Sequence, residues 1–162
     1  VASAEKVWNA VMEAGREFGI KPIGLGARDS LRLEMGFCLY GNDIDKTTNP
    51  LEANLGWITK LDKGDFIGSS AIVKSKQDGL KRKLIGFTLG DDKAFPRHGY
   101  EIRSNGKNVG HVTSGTVSPV LNRGIAMGYV PVDLAREGTK FSVVIRSKEF
   151  EAQVVKLPFI KK

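Results

Sequence analysis

The chain has 162 residues, 41% of them hydrophobic and 27% charged, and carries a formal net charge of +7. That length supports one or two domains with a real core. The sequence has no apolar run near the roughly 20 residues of a membrane-spanning helix, no signal-peptide pattern at its start, and too few cysteines for an internal disulfide.

The basic charge is unevenly placed. Residues 1–80 hold ten Lys/Arg against eleven Asp/Glu, whereas residues 81–162 hold fifteen against seven. A basic second half suits nucleic acid, a membrane surface or an acidic protein, and equally a plain solvated surface. The chain opens Val1-Ala2-Ser3-Ala4 without methionine, which fits processing, trimming or a proteolytic fragment.

In chain order, Val7, Val11, Ala14 and Phe18 recur at helical spacing, predicting an amphipathic helix over 4–18 that Gly19 and Pro22 close. Ile20 to Ile23 reads as a short strand, and Gly24-Leu25-Gly26 as a flexible joint. Ala27 to Met35 reads as a second helix, with Gly36 at its C′ position. Phe37 to Tyr40 is an apolar run, inside which the lone Cys38 is a small apolar residue. It leads into a turn at Gly41-Asn42-Asp43, then a polar loop over 44–54. Leu55 to Leu61 reads as a strand and 68–76 as a helix.

From residue 81 the texture becomes strand-like. Leu84–Leu89, Tyr100–Ile102, Val109–Val117, Ile125–Val130, Phe141–Ile145 and Phe150–Val154 are short apolar or alternating runs. Asn105-Gly106 marks a type I′ hairpin, and a second turn is expected at Ser147-Lys148-Glu149. Six such strands predict a small antiparallel barrel or sandwich, with a boundary near residue 80. Phe87, Tyr100, Phe141 and Phe150 fall at inward positions.

No phosphate loop, His-Glu-x-x-His zinc motif or Gly-x-Ser-x-Gly elbow is present, and His98 and His111 are too few to complete a zinc site with Cys38. The densest polar cluster is Arg28-Asp29-Ser30 with Arg32 and Glu34, followed by Tyr40 and Asp43. A guanidinium after two glycines suits a carboxylate or a heterocycle edge, and a tyrosine can stack on a ring. On the residues alone, an Arg28–Asp29 ion pair capping the helix is the stronger reading of the two. His98 reads as a surface turn residue. Thr113 to Thr116 reads as a barrel turn rather than a serine-nucleophile loop, because no base accompanies it.

The run Gly24-Leu25-Gly26-Ala27-Arg28-Asp29-Ser30-Leu31-Arg32-Leu33-Glu34, then Leu39-Tyr40-Gly41-Asn42-Asp43, resembles the central signature of the aminomethyltransferases, the T-proteins of glycine cleavage. Lys63-Gly64-Asp65-Phe66-Ile67-Gly68, Thr113 to Pro119 and Ala126-Met127-Gly128-Tyr129-Val130 continue that likeness across nearly the whole chain. The resemblance implies an α+β fold: residues 1–80 as the C-terminal part of a folate-binding α+β domain, and 81–162 as a small antiparallel β-barrel. It implies transfer of an aminomethyl group from a lipoyl arm on the H-protein to tetrahydrofolate, releasing ammonia. Arg28 matches the family's folate-contacting arginine, with Asp29 and Tyr40 as weaker pocket residues. The family's catalytic carboxylate and a second, pterin-holding acid lie in an N-terminal half that this chain lacks. The expectation is therefore a C-terminal fragment with no catalytic residue and no metal of its own, inactive alone and partnered by its missing half, folate and the H-protein. The family further implies a cytoplasmic bacterial protein, or a matrix protein if mitochondrial, engaging neither membrane nor nucleic acid.

Two other readings compete. One is the C-terminal module of a dimethylglycine- or sarcosine-oxidising folate enzyme, which needs a flavin domain upstream. The other, resting on the basic strands alone, is a nucleic-acid-binding barrel; such modules expose aromatics among Lys/Arg, whereas here the aromatics fall at core positions.

Overall fold

A computed structural model describes residues 2–90 and 94–161. Three α-helices, α1 (Ala2–Ala14), α2 (Leu25–Glu34) and α3 (Ser69–Asp78), precede six strands. These are β1 (Arg82–Leu89), β2 (Glu101–Ser104), β3 (Lys107–Ser118), β4 (Arg123–Pro131), β5 (Lys140–Ile145) and β6 (Lys148–Val155). The strands close into an antiparallel barrel in the order β1-β4-β3-β2-β5-β6, so the architecture is α+β as expected.

The barrel follows from alternation and turn chemistry. Phe87, Leu89, Ile102, Val112, Ala126, Phe141, Val143 and Val154 point into one buried cluster. Phe87 and Phe141 meet edge to face there, with centroids 5.1 Å apart. Tyr100 and Phe150 pack partly buried against the same cluster, so all four strand aromatics serve the core. Asn105 and Gly106 both take positive φ (51° and 73°), the I′ geometry that joins β2 to β3. The β5–β6 turn sits one residue earlier than expected, with Arg146 and Ser147 in the left-handed region (48° and 66°).

Other expectations are corrected. Leu55–Leu61 forms turns, and Ile20–Ile23 is irregular; among the described residues no neighbouring strand offers either segment a hydrogen-bonding partner. Thr113–Thr116 is no turn but the middle of β3, where the register with β4 slips between Val112 and Ser114. The first helix ends at Ala14, and Arg16–Phe18 continues as a 3₁₀ turn closed by left-handed Gly19. Val7, Trp8 and Val11 on α1 are all more than half exposed.

α2 lies on the outside of the barrel against β3 and β4. Leu33 inserts into a second buried cluster with Leu84, Ile125, Met127 and Tyr129, edged by Cys38, Leu157 and Phe159. The helix stops in a Schellman cap. The Phe37 N–H donates to the Arg32 carbonyl (2.8 Å), the Gly36 N–H donates to the Leu33 carbonyl (2.8 Å), and Gly36 takes φ +68°.

Candidate functional site

The polar residues singled out in the sequence gather where α2 meets the barrel. Gly24, in extended conformation, precedes the helix without a side-chain cap, so Arg28 falls one turn in. The Arg28 side chain is exposed and makes no hydrogen bond or ion pair among the described residues. The expected Arg28–Asp29 pair does not form, because consecutive helical residues point apart while residues three apart share a face. Asp29 instead accepts from Arg32, whose Nε and Nη2 both donate to Oδ1 at 2.9 and 2.6 Å.

Arg32 is nearly buried and reaches further inward. Its Nη1 donates to Asp43 Oδ2 at 2.9 Å, and its Nη2 donates to Ser114 Oγ at 3.0 Å. Asp43 is the hub. Its side chain is fully buried and also accepts from the Leu39 N–H (2.8 Å), Ser114 Oγ (2.9 Å) and Thr113 Oγ1 (2.5 Å). Its own carbonyl accepts from Tyr129 Oη at 2.9 Å. A carboxylate removed from water is tolerable only when paired and saturated with donors, and this one is both. The register slip in β3 turns the Thr113 and Ser114 hydroxyls onto Asp43. The Ser114 hydroxyl is thus engaged with a carboxylate and a guanidinium, as one of the bonds that tie α2 to β3.

A second tie fixes the same end of α2. Buried Glu34 accepts from Ser118 Oγ (2.5 Å) and the Val120 N–H (3.5 Å), while its carbonyl accepts from the Phe159 N–H at 2.9 Å. Both ties fall in the last turn of α2, and Arg28 stands nearer the N-terminal end of the same helix.

Tyr40 is 70% exposed, on a one-residue bridge with Ile44. Among the described residues no hydrogen bond joins it to Arg28 or Asp29, so the structure does not link the three expected residues directly. Phe37 and Trp57 are comparably exposed, and both line an apolar groove of about 510 Å³ with Cys38, Leu55, Leu84 and Leu157. Burial, reinforced by the nearby Asp43 charge, pushes the Cys38 thiol up to about 11, so it stays protonated as the apolar residue it was read to be. Burial likewise raises the Tyr129 phenol to about 12, against the opposing pull of Arg82, whose guanidinium lies 4.6 Å from the ring centre. No group of three or more His, Cys, Asp and Glu side chains suited to a metal ion occurs among the described residues.

His98, expected as a surface turn residue, is exposed, but its Nδ1 lies 2.7 Å from the Thr113 carbonyl and so pins the β1–β2 loop to β3. Arg32 and Asp43 stood in the sequence cluster, yet nothing local marked Asp43 as its centre. Its hydroxyl partners lie about seventy residues downstream.

Comparison with known proteins agrees with this arrangement. Residues 82–161 match the glycine cleavage T-protein C-terminal barrel domain, and residues 1–63 match the GCVT N-terminal domain. The aminomethyltransferase of Halothermothrix orenii is 56% identical over 157 residues, covering 97% of this chain and 44% of that protein. That of Flavobacterium psychrophilum is 56% identical over 160 residues, covering 98% and 44%. The crystal structure of glycine cleavage system aminomethyltransferase T from Bartonella henselae superposes with a TM-score of 0.86 at 37% identity, covering 98% of this chain and 44% of that one. The chain thus spans less than half the length of the relatives it matches. With family matches over residues 1–63 and 82–161 and relatives that align over nearly the whole chain, this chain belongs to the glycine cleavage T-protein family.

Proposed function

We propose that this chain is the C-terminal part of a tetrahydrofolate-dependent aminomethyltransferase, and that Arg28 fixes the cofactor. The observation that carries the reading is an exposed guanidinium, unpartnered among the described residues, on a helix whose last turn is held to the barrel by two buried carboxylates. An outward-facing guanidinium offers planar, paired donors to an anionic or heterocyclic ligand. Exposed Tyr40 offers a further flat face for a ring, and Asp29 holds the Arg32 side of the helix that carries Arg28. This donor set fits tetrahydrofolate, which when bound is the acceptor of the one-carbon unit. Residues 1–80 belong in this reading to the folate-binding domain and 81–162 to the barrel.

The wider reaction is carried over from the family. The aminomethyl group arrives on the lipoyl arm of an H-protein and leaves ammonia behind. The acid that assists the chemistry and the opposite wall of the folate cleft belong to the N-terminal half. The exposed Val7, Trp8 and Val11 face of α1 and the Phe37–Trp57 groove are the surfaces that half covers. The bacterial relatives fit a cytoplasmic enzyme.

The test is made in the complete aminomethyltransferase that contains this chain. Arg28→Gln removes charge-assisted hydrogen bonds together worth about 1.5–3 kcal/mol, so tetrahydrofolate should bind about ten- to a hundredfold more weakly by calorimetry, with an unchanged melting temperature. Equal affinity in the variant refutes the assignment. The 162-residue chain alone, given H-protein and tetrahydrofolate, should transfer nothing.

A further inference from the structure

The barrel carries a second cavity, which the proposed reaction does not use. It opens where the β1–β2 loop meets the β5–β6 hairpin, has a volume of about 400 Å³, and is lined by Phe95, Arg97, Tyr100, Arg146, Lys148 and Phe150 among others. Its walls are preorganised. The loop is pinned by the His98 bond to Thr113, by the Gly99 N–H donating to the Val112 carbonyl (2.8 Å) and by the Val112 N–H donating to the Tyr100 carbonyl (2.8 Å). The hairpin is a tight two-residue turn with both residues in the left-handed region.

The chemistry of the lining is specific. Tyr100 and Phe150 form an apolar floor continuous with the core, and Phe95 stands about half exposed at the rim. Arg97, Arg146 and Lys148 surround it, are all exposed, and take part in no ion pair among the described residues. Elsewhere on the barrel, Arg103 and Lys140 are paired with Glu101, Glu149 and Glu151. The cations at this cavity belong to a half of the chain with fifteen basic and seven acidic residues, and three that are unpaired among the described residues converge on this one cavity.

We propose that this cavity is a docking site for an acidic polypeptide segment, which places one apolar side chain on Phe95 and Phe150 and its flanking carboxylates on Arg97, Arg146 and Lys148. A hydrophobic anchor ringed by like-signed charges selects for the complementary sequence: carboxylates on both sides of an aromatic or aliphatic residue. A nucleic-acid strand is the poorer fit. It needs a basic track with several stacking faces, whereas here a single half-exposed aromatic stands at the rim of one cavity. This goes beyond the aminomethyl reading and does not depend on Arg28.

The test titrates the 162-residue chain with the blocked pentapeptide Glu-Glu-Phe-Glu-Glu while amide resonances are followed by NMR. Saturable shifts confined to residues 94–100 and 145–150, with a Kd below about 1 mM in 50 mM salt, are expected. Each exposed ion pair is worth at most about fivefold in affinity, so the double variant R146Q/K148Q should weaken binding about tenfold, and F95S by a similar factor. Both variants change exposed residues, and an unchanged spectrum away from the cavity verifies their fold. Raising salt to 500 mM should weaken binding, and Lys-Lys-Phe-Lys-Lys should not bind. The proposal is overturned if the acidic peptide produces no saturable shifts, if R146Q/K148Q binds it equally well, or if an oligothymidylate binds the same residues more tightly.

Discussion

Replacing Asp43 by asparagine keeps the shape of the side chain and removes its charge at the point where α2, the Gly41 turn and β3 converge. Oδ2 accepts from Arg32, Leu39 and Ser114, and Oδ1 from Thr113. An amide presents one oxygen and a pair of donors, so one former acceptor position turns a donor toward groups that also donate. Breaking one partner of a buried ion pair costs about 3–5 kcal/mol. Arg32 keeps Asp29 and the Phe37 carbonyl and its side chain is 11% exposed, so the lower end, about 3 kcal/mol, is expected. Equilibrium urea unfolding of the 162-residue chain measures it, with Asp29→Asn as the control. The Asp29 side chain is 44% exposed, and its pair with Arg32 is worth less than about 1 kcal/mol. A double-mutant cycle of Asp43→Asn with Arg32→Gln should then return a coupling of about 1.5 kcal/mol or more. A loss below about 1 kcal/mol for Asp43→Asn, or no coupling, would refute the view that this carboxylate ties the helix to the barrel.

Three further outcomes follow from the same geometry. Phe87→Ala removes a fully buried ring and its edge-to-face partner, and should lower unfolding free energy by about 3–5 kcal/mol in the same urea assay. At Gly110 an added Cβ would lie 1.9 Å from the Tyr129 carbonyl oxygen, so Gly110→Ala must part β3 from β4; a loss of about 3 kcal/mol and a lowered melting temperature are expected. Tyr129 has a folded-state pKa above its unfolded value, so its contribution is complete below about pH 10 and is lost as pH rises toward about 12; alkaline unfolding should lose on the order of 2 kcal/mol to this group across that window, the share that Tyr129→Phe removes while the share of the raised Cys38 thiol remains.

The barrel was legible because its determinants are local. Alternation set which residues face inward, and Asn105-Gly106 announced its own turn type. Helix α2 was legible for the same reason, with Gly36 stopping it where expected. The pairings within the site were not. Asp29 lies beside Arg28 in the sequence and against Arg32 in space, a choice made by the 3.6-residue helical period rather than by adjacency. The role of Thr113 and Ser114 depends on a register slip that neither residue type encodes, and on a carboxylate some seventy positions away. Leu55–Leu61 looked like a strand because β-propensity mostly measures a fit to neighbours, and no neighbour was there. The signature around Arg28 carried the family assignment, whereas the exposed, unpartnered state of that side chain became visible only in three dimensions.

Because the six strands close on themselves, every strand in the ring has a hydrogen-bonded neighbour on each side. Among the described residues the barrel has no edge strand for a neighbour to extend, which removes the usual template for sheet-to-sheet polymerisation. Whatever gathers on this half of the molecule has to be recognised through side chains alone, and a handful of point substitutions can rewrite its choice of company without disturbing the scaffold beneath.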